Sequence, residues 1–417
     1  MKNNTTNHPF TVVIPTRERF DTLEHSLRTC VAQNYENLEI LVSDNFSQDR
    51  TREIVESYKD KRIRYINTGK RLGMTENYEF SLSHVKPEGY ILYIGDDDGL
   101  LPDAIQGINT VVRETGTQVL RWDVAVYDWP TIATKKENWL YINSLDSEIT
   151  KQDSASIIQN LLSFKSAYQS LPLMYMYSAV HYDIIKKIKD LSGKFYHSMT
   201  PDVYSGFAIA GLVGSFINSK RPYVIAGSSH HSTGASAACV TSDQVVQKFY
   251  QENSLPYHPS LFFSRSLQSC IIEAFFQAKD RLPFLENYTV DLKLLLFKMM
   301  QEVAQKPESF YLSIQEAVLQ IAEKHGIQNA ARQAIAKYPM KKKWSSLRSN
   351  MYFFGKRLRQ ISSDIRKKTI WIDCAPFGIQ NIYDASLLCH HILKLQDAKF
   401  LGLSNVIKAS LSHIKTF

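Results

Sequence analysis

The sequence predicts an α/β fold, a parallel sheet covered by helices on both faces, followed by a mainly α-helical C-terminal region. Three observations predict it. Short apolar, β-branched runs alternate with helical periodicities over the first 130 residues. The runs end in polar clusters, Pro15-Thr16-Arg17, Ser43-Asp44-Asn45 and Asp96-Asp97-Asp98, as strands do whose carboxyl ends line a binding crevice. From about Thr241 onward the pattern becomes amphipathic helices, with a boundary expected near Ala238, where Gly and Ser give way to helix.

The elements follow in order. "FTVVIPT" is a buried strand stopped by Pro15, and Leu23, Leu27 and Val31 mark one face of the helix after it. "LEILVSDN" is the second strand. "SQDRTREIVESYKD" is a helix opened by Ser47 and Asp49, and "IRYINT" is the third strand. "MTENYEFSLSHV" is helical, "GYILYIG" is the fourth strand, and "LPDAIQGINTVVRETG" is a helix with Pro102 in its first turn. "TQVLRWDVAVYDW" is rich in strand formers, and beyond residue 130 the alternation loosens. There "DSASIIQNLLSFKSAY", "HYDIIKKIKDL" and "TPDVYSGFAIAGLVG" read as helices, and "RPYVIAGSSHHSTGASA" as a strand opening into a small-residue loop.

The chain has 417 residues, enough for one large domain with an appendage or for two. Its five cysteines form no CxxC pair, which argues against both a zinc site and a disulfide framework and for a reducing compartment. No apolar run reaches membrane-spanning length, so the expected location is cytoplasmic, soluble or peripheral at the inner face of the cell membrane. The net charge of +8 suits an acidic partner, and much of it is local: residues 341 to 368 carry ten Lys or Arg and one acid, Asp364.

The run "YIGDDDGLLP" poses the sharpest chemical question. Three adjacent carboxylates at a strand end repel one another, and a single helix cap needs only one. Carboxylates flanked by glycines that admit close approach of a ligand fit a hard cation, Mg²⁺ or Mn²⁺, that keeps some water and bridges substrate phosphates. "PTRER" and "SDN" support the same crevice: Asp44 suits a base or ribose edge, and Arg17 a phosphate or an ion pair. Arg71, Gly73 and Asn77 in "GKRLGMTEN" form a turn into a helix where a guanidinium and backbone donors can hold a nucleotide.

Taken together, "VVIPTRERFDTLEHSLRTCVAQNYENLEILVSDNFSQDRT", "RLGMTENYEFSL" and "YILYIGDDDGLLPDAI" resemble the family 2 glycosyltransferases of bacterial surface-polysaccharide synthesis, which have the GT-A fold. The resemblance implies a GT-A domain over residues 1–238, with a nucleotide-sugar part over about 1–130 and an acceptor part over about 131–238, and a mainly helical region over 239–417. It implies inverting transfer of a sugar from a nucleoside diphosphate donor, a UDP-sugar first among them, to a glycan or lipid-linked acceptor, with Mn²⁺ or Mg²⁺ held by a DxD-type motif. Pro15, Thr16, Arg17, Asp44, Asn45, Arg71, Asn77, Asp96 and Asp97 would line the nucleotide-sugar site. Asp97 and Asp98 would serve the metal, joined by His231 in the H-S-x-G arrangement of "SSHHSTG". Where many relatives read D-A-D-D this chain reads Gly95-Asp96-Asp97-Asp98.

By the same resemblance Asp202, in "HSMTPDVYSG", would be the catalytic base. The alternative there is an ordinary helix start, with Thr200 as cap and Pro201 in the first turn. The basic segment 341–368, with Trp344, Phe353 and Phe354 among its cations, reads as a helix on an anionic membrane surface or as a solvated face of a packed helix. Rival functions meet specific objections. A receiver or haloacid-type phosphoryl-transfer domain needs an aspartate at the end of strand 1, and a sugar nucleotidyltransferase needs a glycine-rich, lysine-bearing loop there. A non-catalytic basic protein that binds membrane or nucleic acid through a degenerate nucleotide-binding fold is the remaining alternative, and no nucleic-acid motif accompanies the charge, so no nucleic-acid partner is expected.

Overall fold

The computed structural model describes residues 7–130, 137–230, 252, 255–340 and 369–397. The strands and helices that the sequence predicts before residue 130 are present, together with a two-residue strand, β5, that it does not predict: β1 Phe10–Thr16, α1 Phe20–Val31, β2 Leu38–Asp44, α2 Thr51–Ser57, β3 Ile63–Asn67, α3 Met74–Ser83, β4 Tyr90–Tyr93, β5 Gly99–Leu100, α4 Ala104–Thr115, β6 Val119–Trp122 and β7 Ala125–Asp128; α4 begins after Asp103, so Pro102 precedes the helix and does not stand in its first turn. After them come β8 Trp139–Ile142, β9 Ile149–Asp153, α5 Ser154–Leu162, β10 Ser178–His181, α6 Tyr182–Ser192, α7 Pro201–Leu212, β11 Ser215–Ser219 and β12 Val224–Ser228.

The larger sheet has the order β3-β2-β1-β4-β10-β6-β11-β9, and its half from β3 to β4 is parallel. Alternate residues of those strands serve opposite faces, so both faces are buried. Val12, Ile14, Ile40 and Leu92 pack with Leu23 and Leu27 of α1 and Ile105 and Ile108 of α4. Val13, Leu41, Ile91 and Tyr93 pack with Tyr78 and Leu82 of α3 and Val203 and Phe207 of α7. The register sets Thr16 beside Asp44 and pairs β1 with β4, so the ends of β1, β2 and β4 lie side by side.

A smaller sheet, β13-β8-β7-β12-β5, stands beside the acidic turn; its edge strand β13 is Ile370–Asp373. The helices α8 Leu267–Lys279, α9 Leu292–Val303, α10 Glu308–Lys324 and α11 Gln328–Lys337 extend the same apolar cluster that α7 enters. The chain then returns: β13 pairs antiparallel with β8, and α12 Ile382–Asp397 covers the small sheet with Ile382, Ala385, Leu388 and Cys389. The fold is thus mixed α/β with a central sheet and a helical C-terminal region, the class the sequence predicts. The region 239–417 also supplies one strand and one helix to the N-terminal sheets. The basic segment 341–368 and the expected boundary at Ala238 lie outside the described residues.

Candidate active site

The three aspartates are separated by their partners. At the end of β1, Thr16 Oγ1 donates to Asp96 Oδ2 at 2.8 Å, and Arg19 Nη1 donates to Asp96 Oδ1 at 2.9 Å. Asp98 turns the other way, its Oδ2 accepting the Gly95 amide at 2.7 Å and its Oδ1 the Gly227 amide of β12 at 2.8 Å. Asp97 Oδ2 accepts the Ser229 hydroxyl at 2.7 Å, and the Trp129 indole donates to the Asp97 carbonyl at 3.0 Å. The positive charge that the run requires is therefore supplied in part by Arg19, and the rest of the compensation comes from backbone and hydroxyl dipoles.

All three carboxylates are buried, at 2%, 3% and 0% exposure for Asp96, Asp97 and Asp98, so solvent does not screen them from one another. Burial and the neighbouring Asp97 charge push the Asp98 carboxyl up to about 8. Burial also raises Asp96, against the opposing pull of Arg19. Crowded carboxylate oxygens in a dry turn fit a divalent cation that takes its remaining ligands from water and phosphate. No cluster of three or more His, Cys, Asp or Glu suited to a metal occurs among the described residues. His231 lies outside the described residues.

The β2 end builds the second wall. Asp44, 1% exposed, accepts the Tyr65 hydroxyl at 2.5 Å, Asn67 Nδ2 at 2.9 Å and the Ser47 amide at 2.9 Å. Asn45 exchanges two bonds of 2.8 Å with the backbone of Leu72, which fixes the turn carrying Arg71. Asn77 accepts the Ser43 hydroxyl at 3.0 Å, tying α3 to β2, and Pro15 lies in register with Ser43. Arg17 and Arg71 both reach Glu252, at 2.9 Å each, so two of the predicted cations meet on one carboxylate.

Asp202 stands in the first turn of α7 after Pro201. The Thr200 side chain makes no capping bond to the helix; its hydroxyl lies 3.2 Å from Ser198 Oγ. Burial raises the Asp202 carboxyl above its ordinary range, and the backbone amides of Val203 and Asp202 itself oppose that shift. Burial raises the Tyr78 phenol far above its ordinary value, and the charges of Asp202, Asp98 and Asp96 add to the rise. Tyr175 is raised in the same sense by burial and then by Asp98, and its hydroxyl would lie 2.7 Å from a Cβ added at Gly95.

The structure therefore gathers Thr16, Asp44, Asn45, Asn77 and Asp96–Asp98 at adjoining strand ends, with Arg17 and Arg71 sharing Glu252 beside them. It adds Arg19, Tyr78, Trp129, Tyr175, Ser229 and Glu252, which the sequence reading passed over. Arg19 carried a signal, since "PTRER" offers two arginines and only the second reaches Asp96. Glu252 carried none, being 235 residues from Arg17.

Residues 11–166 match the family described as Glycosyl transferase family 2. Over 152 residues the chain is 26% identical to an uncharacterised glycosyltransferase of Rickettsia typhi, a stretch covering 36% of this chain and 46% of that protein. Over 106 residues it is 33% identical to the GalNAc(5)-diNAcBac-PP-undecaprenol beta-1,3-glucosyltransferase of Campylobacter jejuni, covering 25% of this chain and 34% of the relative. The chain thus spans less than half the length of these curated relatives. Among solved structures, S. aureus TarS residues 1–349 with UDP-GlcNAc aligns with 81% of this chain and 93% of its own at 14% identity and a TM-score of 0.47. The mannosyltransferase PcManGT of Pyrobaculum calidifontis aligns with 81% and 89% at 15% identity and a TM-score of 0.38. The match across residues 11–166 takes in the ends of β1, β2 and β4 that carry Thr16, Asp44 and Asp96–Asp98, and through that segment the chain resembles glycosyl transferase family 2.

Proposed function

We propose that the protein is an inverting, metal-dependent glycosyltransferase that moves a sugar from a nucleoside diphosphate donor, a UDP-sugar first, to a glycan or lipid-linked acceptor of a surface polysaccharide such as capsule, O-antigen or exopolysaccharide. The observation that carries this reading is the convergence of Thr16, Asp44 and Asp96–Asp98 at the ends of β1, β2 and β4 within the family-matched segment. Asp44 with Tyr65 and Asn67 presents polar edges for the nucleoside. Arg17 and Arg71 face the phosphates, exchanging Glu252 for them. The name of the Campylobacter relative supports a lipid-linked acceptor.

Asp97 and Asp98 would hold Mn²⁺ or Mg²⁺, which when bound neutralises charge on the departing diphosphate. Asp202 accepts the proton of the acceptor hydroxyl as its oxygen bonds to the anomeric carbon. The bond from that carbon to the diphosphate oxygen breaks on the opposite face, and the nucleoside diphosphate leaves with the electron pair. Inversion follows from that geometry.

A screen of nucleotide-sugar hydrolysis with Mn²⁺ tests the donor reading. One UDP-sugar should be hydrolysed, EDTA should stop it, and UDP with Mn²⁺ should raise the melting temperature by linkage. Asp97→Ala should lose the metal-dependent part of that rise; a full rise in the variant would take Asp97 out of the metal site.

No helix among the described residues is long and apolar enough to cross a membrane. We extend the proposal to contact with an anionic membrane surface through the ten cations of segment 341–368. At about 1 kcal/mol per cation near such a surface, sedimentation with anionic vesicles should be clear at low salt and fade as salt rises. Gln at Lys341, Lys342, Lys343, Lys356, Arg357 and Arg359 should abolish it, and unchanged sedimentation would end the membrane reading.

A further inference from the structure

The carboxylate of Glu273 is the most deeply buried acid of the C-terminal helices, at 1% exposure, and the chemistry above leaves it without a task. It lies on α8. Its Oε1 accepts Gln277 Nε2 at 2.7 Å and the His258 amide at 3.2 Å, while its Oε2 accepts the Ser198 hydroxyl at 2.5 Å. Ser198 is itself fully buried, and its other bonds run toward the start of α7 and toward α3. Its Oγ accepts the Thr200 amide at 3.2 Å, and its carbonyl accepts Thr75 Oγ1 at 2.8 Å.

Since the Ser198 proton goes to Glu273, the Thr200 hydroxyl donates to Ser198 in turn, and a single polar chain runs from α8 through Ser198 to Thr200. Asp202 follows two residues later. The Thr200 carbonyl receives the first helical bond of α7, from the Tyr204 amide at 3.0 Å, so the position of Thr200 sets where the helix begins. The Thr200 side chain provides no cap of its own, so its hydroxyl is left to Ser198.

We propose that Glu273 is a positioning residue for transfer: from the C-terminal helices it fixes, through Ser198, the turn that delivers Asp202 to the acceptor. The inference rests on the reading of Asp202 as base. It also gives the helical region a part in the chemistry that the family match of residues 11–166 does not assign. A buried carboxylate suits the task, since a charge-assisted hydrogen bond is short and directional and water does not compete for it.

The test compares Glu273→Leu, Glu273→Gln and Ser198→Ala in the full chain, with kcat, donor KM and UDP affinity read separately. A base displaced by about 1 Å loses on the order of a hundredfold in rate. Glu273→Leu should therefore lower kcat roughly ten- to a hundredfold while donor KM and UDP affinity stay within about twofold, because the strand ends that hold the donor are untouched. Glu273→Gln, whose amide can accept from Gln277 and donate to Ser198, should restore kcat to within a few fold. Ser198→Ala, which removes one buried hydroxyl, should repeat the loss in kcat and decides the matter if the leucine variant does not fold.

In an Asp202→Asn background Glu273→Leu should add little, since both act on one step. Wild-type kcat in folded Ser198→Ala overturns the proposal. So does a glutamine variant as slow as the leucine variant, a loss of UDP affinity in step with kcat, or a full additional loss in the Asp202→Asn background. Transfer retained by Asp202→Asn alone fails the base reading, and the additive or non-additive behaviour of the double variant then reports on Glu273 separately.

Discussion

Asp202→Asn should lower turnover at least about a hundredfold, the usual contribution of a positioned general base, while UDP affinity stays at its wild-type value. The amide keeps the shape of the side chain and can still accept the amides at the start of α7, but it cannot take the acceptor's proton. Its pH behaviour makes the test specific. Burial raises the Asp202 carboxyl, so in the wild-type protein kcat should fall as pH drops through a value above the ordinary carboxylate range, because the base must be unprotonated to act. The same shift has the opposite sign for folding. A carboxyl raised in the folded state contributes stability that is present below its unfolded pKa and is lost as pH rises through its folded pKa. Activity should thus rise with pH over a window in which the contribution of Asp202 to stability declines. Asp202→Asn should abolish both dependences. An acid limb that survives in the amide variant assigns it to another group.

Gly227→Ala should nearly abolish donor hydrolysis and lower the melting temperature by several degrees. A Cβ at this position would lie 1.8 Å from the Asp97 carbonyl oxygen and 2.8 Å from Trp129 Nε1. The first of those atoms is backbone and cannot swing aside, so β12 and the acidic turn must separate. Forced overpacking of this kind costs about 1–3 kcal/mol or more. Separation also breaks the Gly227 amide bond to Asp98 and the Ser229 bonds to Asp97, so the damage reaches both proposed metal-holding carboxylates. Differential scanning fluorimetry with and without UDP and Mn²⁺ reads both effects. A variant that melts like the wild type and keeps its UDP response would show that the close approach is dispensable.

The parallel half of the sheet was legible because each strand announces itself twice, by a continuous apolar run and by the polar cluster that ends it. Leu38–Asp44 is buried along its whole length, and no helix of that length has seven consecutive buried positions on an amphipathic face. After residue 130 β12 was legible in "RPYVIAG", whereas β8, β9 and β10 lacked this signature. β9 reads "ITKQD" and alternates exposed with half-buried, and β8 and β10 are four residues each, too short for periodicity to separate from loop. The candidate site was legible along the chain and illegible across it. Asp44, Asp96, Asp97 and Asp98 carry their chemistry in local motifs, but their partners Tyr65, Arg19, Ser229 and Gly227 are chosen by register and by the approach of β12. Trp129 carries no local signal either, its indole meeting the Asp97 carbonyl only through the fold.

The return of the chain to β8 has a consequence for synthesis on the ribosome. Ile370 pairs with Ile142, and Ile382 lies against Gly99, the residue after Asp98. Arg28 of α1 stacks on Tyr383 at 4.0 Å, so the first helix of the protein is also waiting for the last one described. A nascent chain that has emerged only as far as the family-matched segment therefore carries Asp44 and Asp96–Asp98 with one wall beside them still unbacked. Such a distant closure is slow to find, because the entropy of a long loop must be overcome before the contact rewards it. A stalled or truncated product ending before Thr369 would expose Trp129, Leu140 and Ile142 of the small sheet to chaperones and proteases.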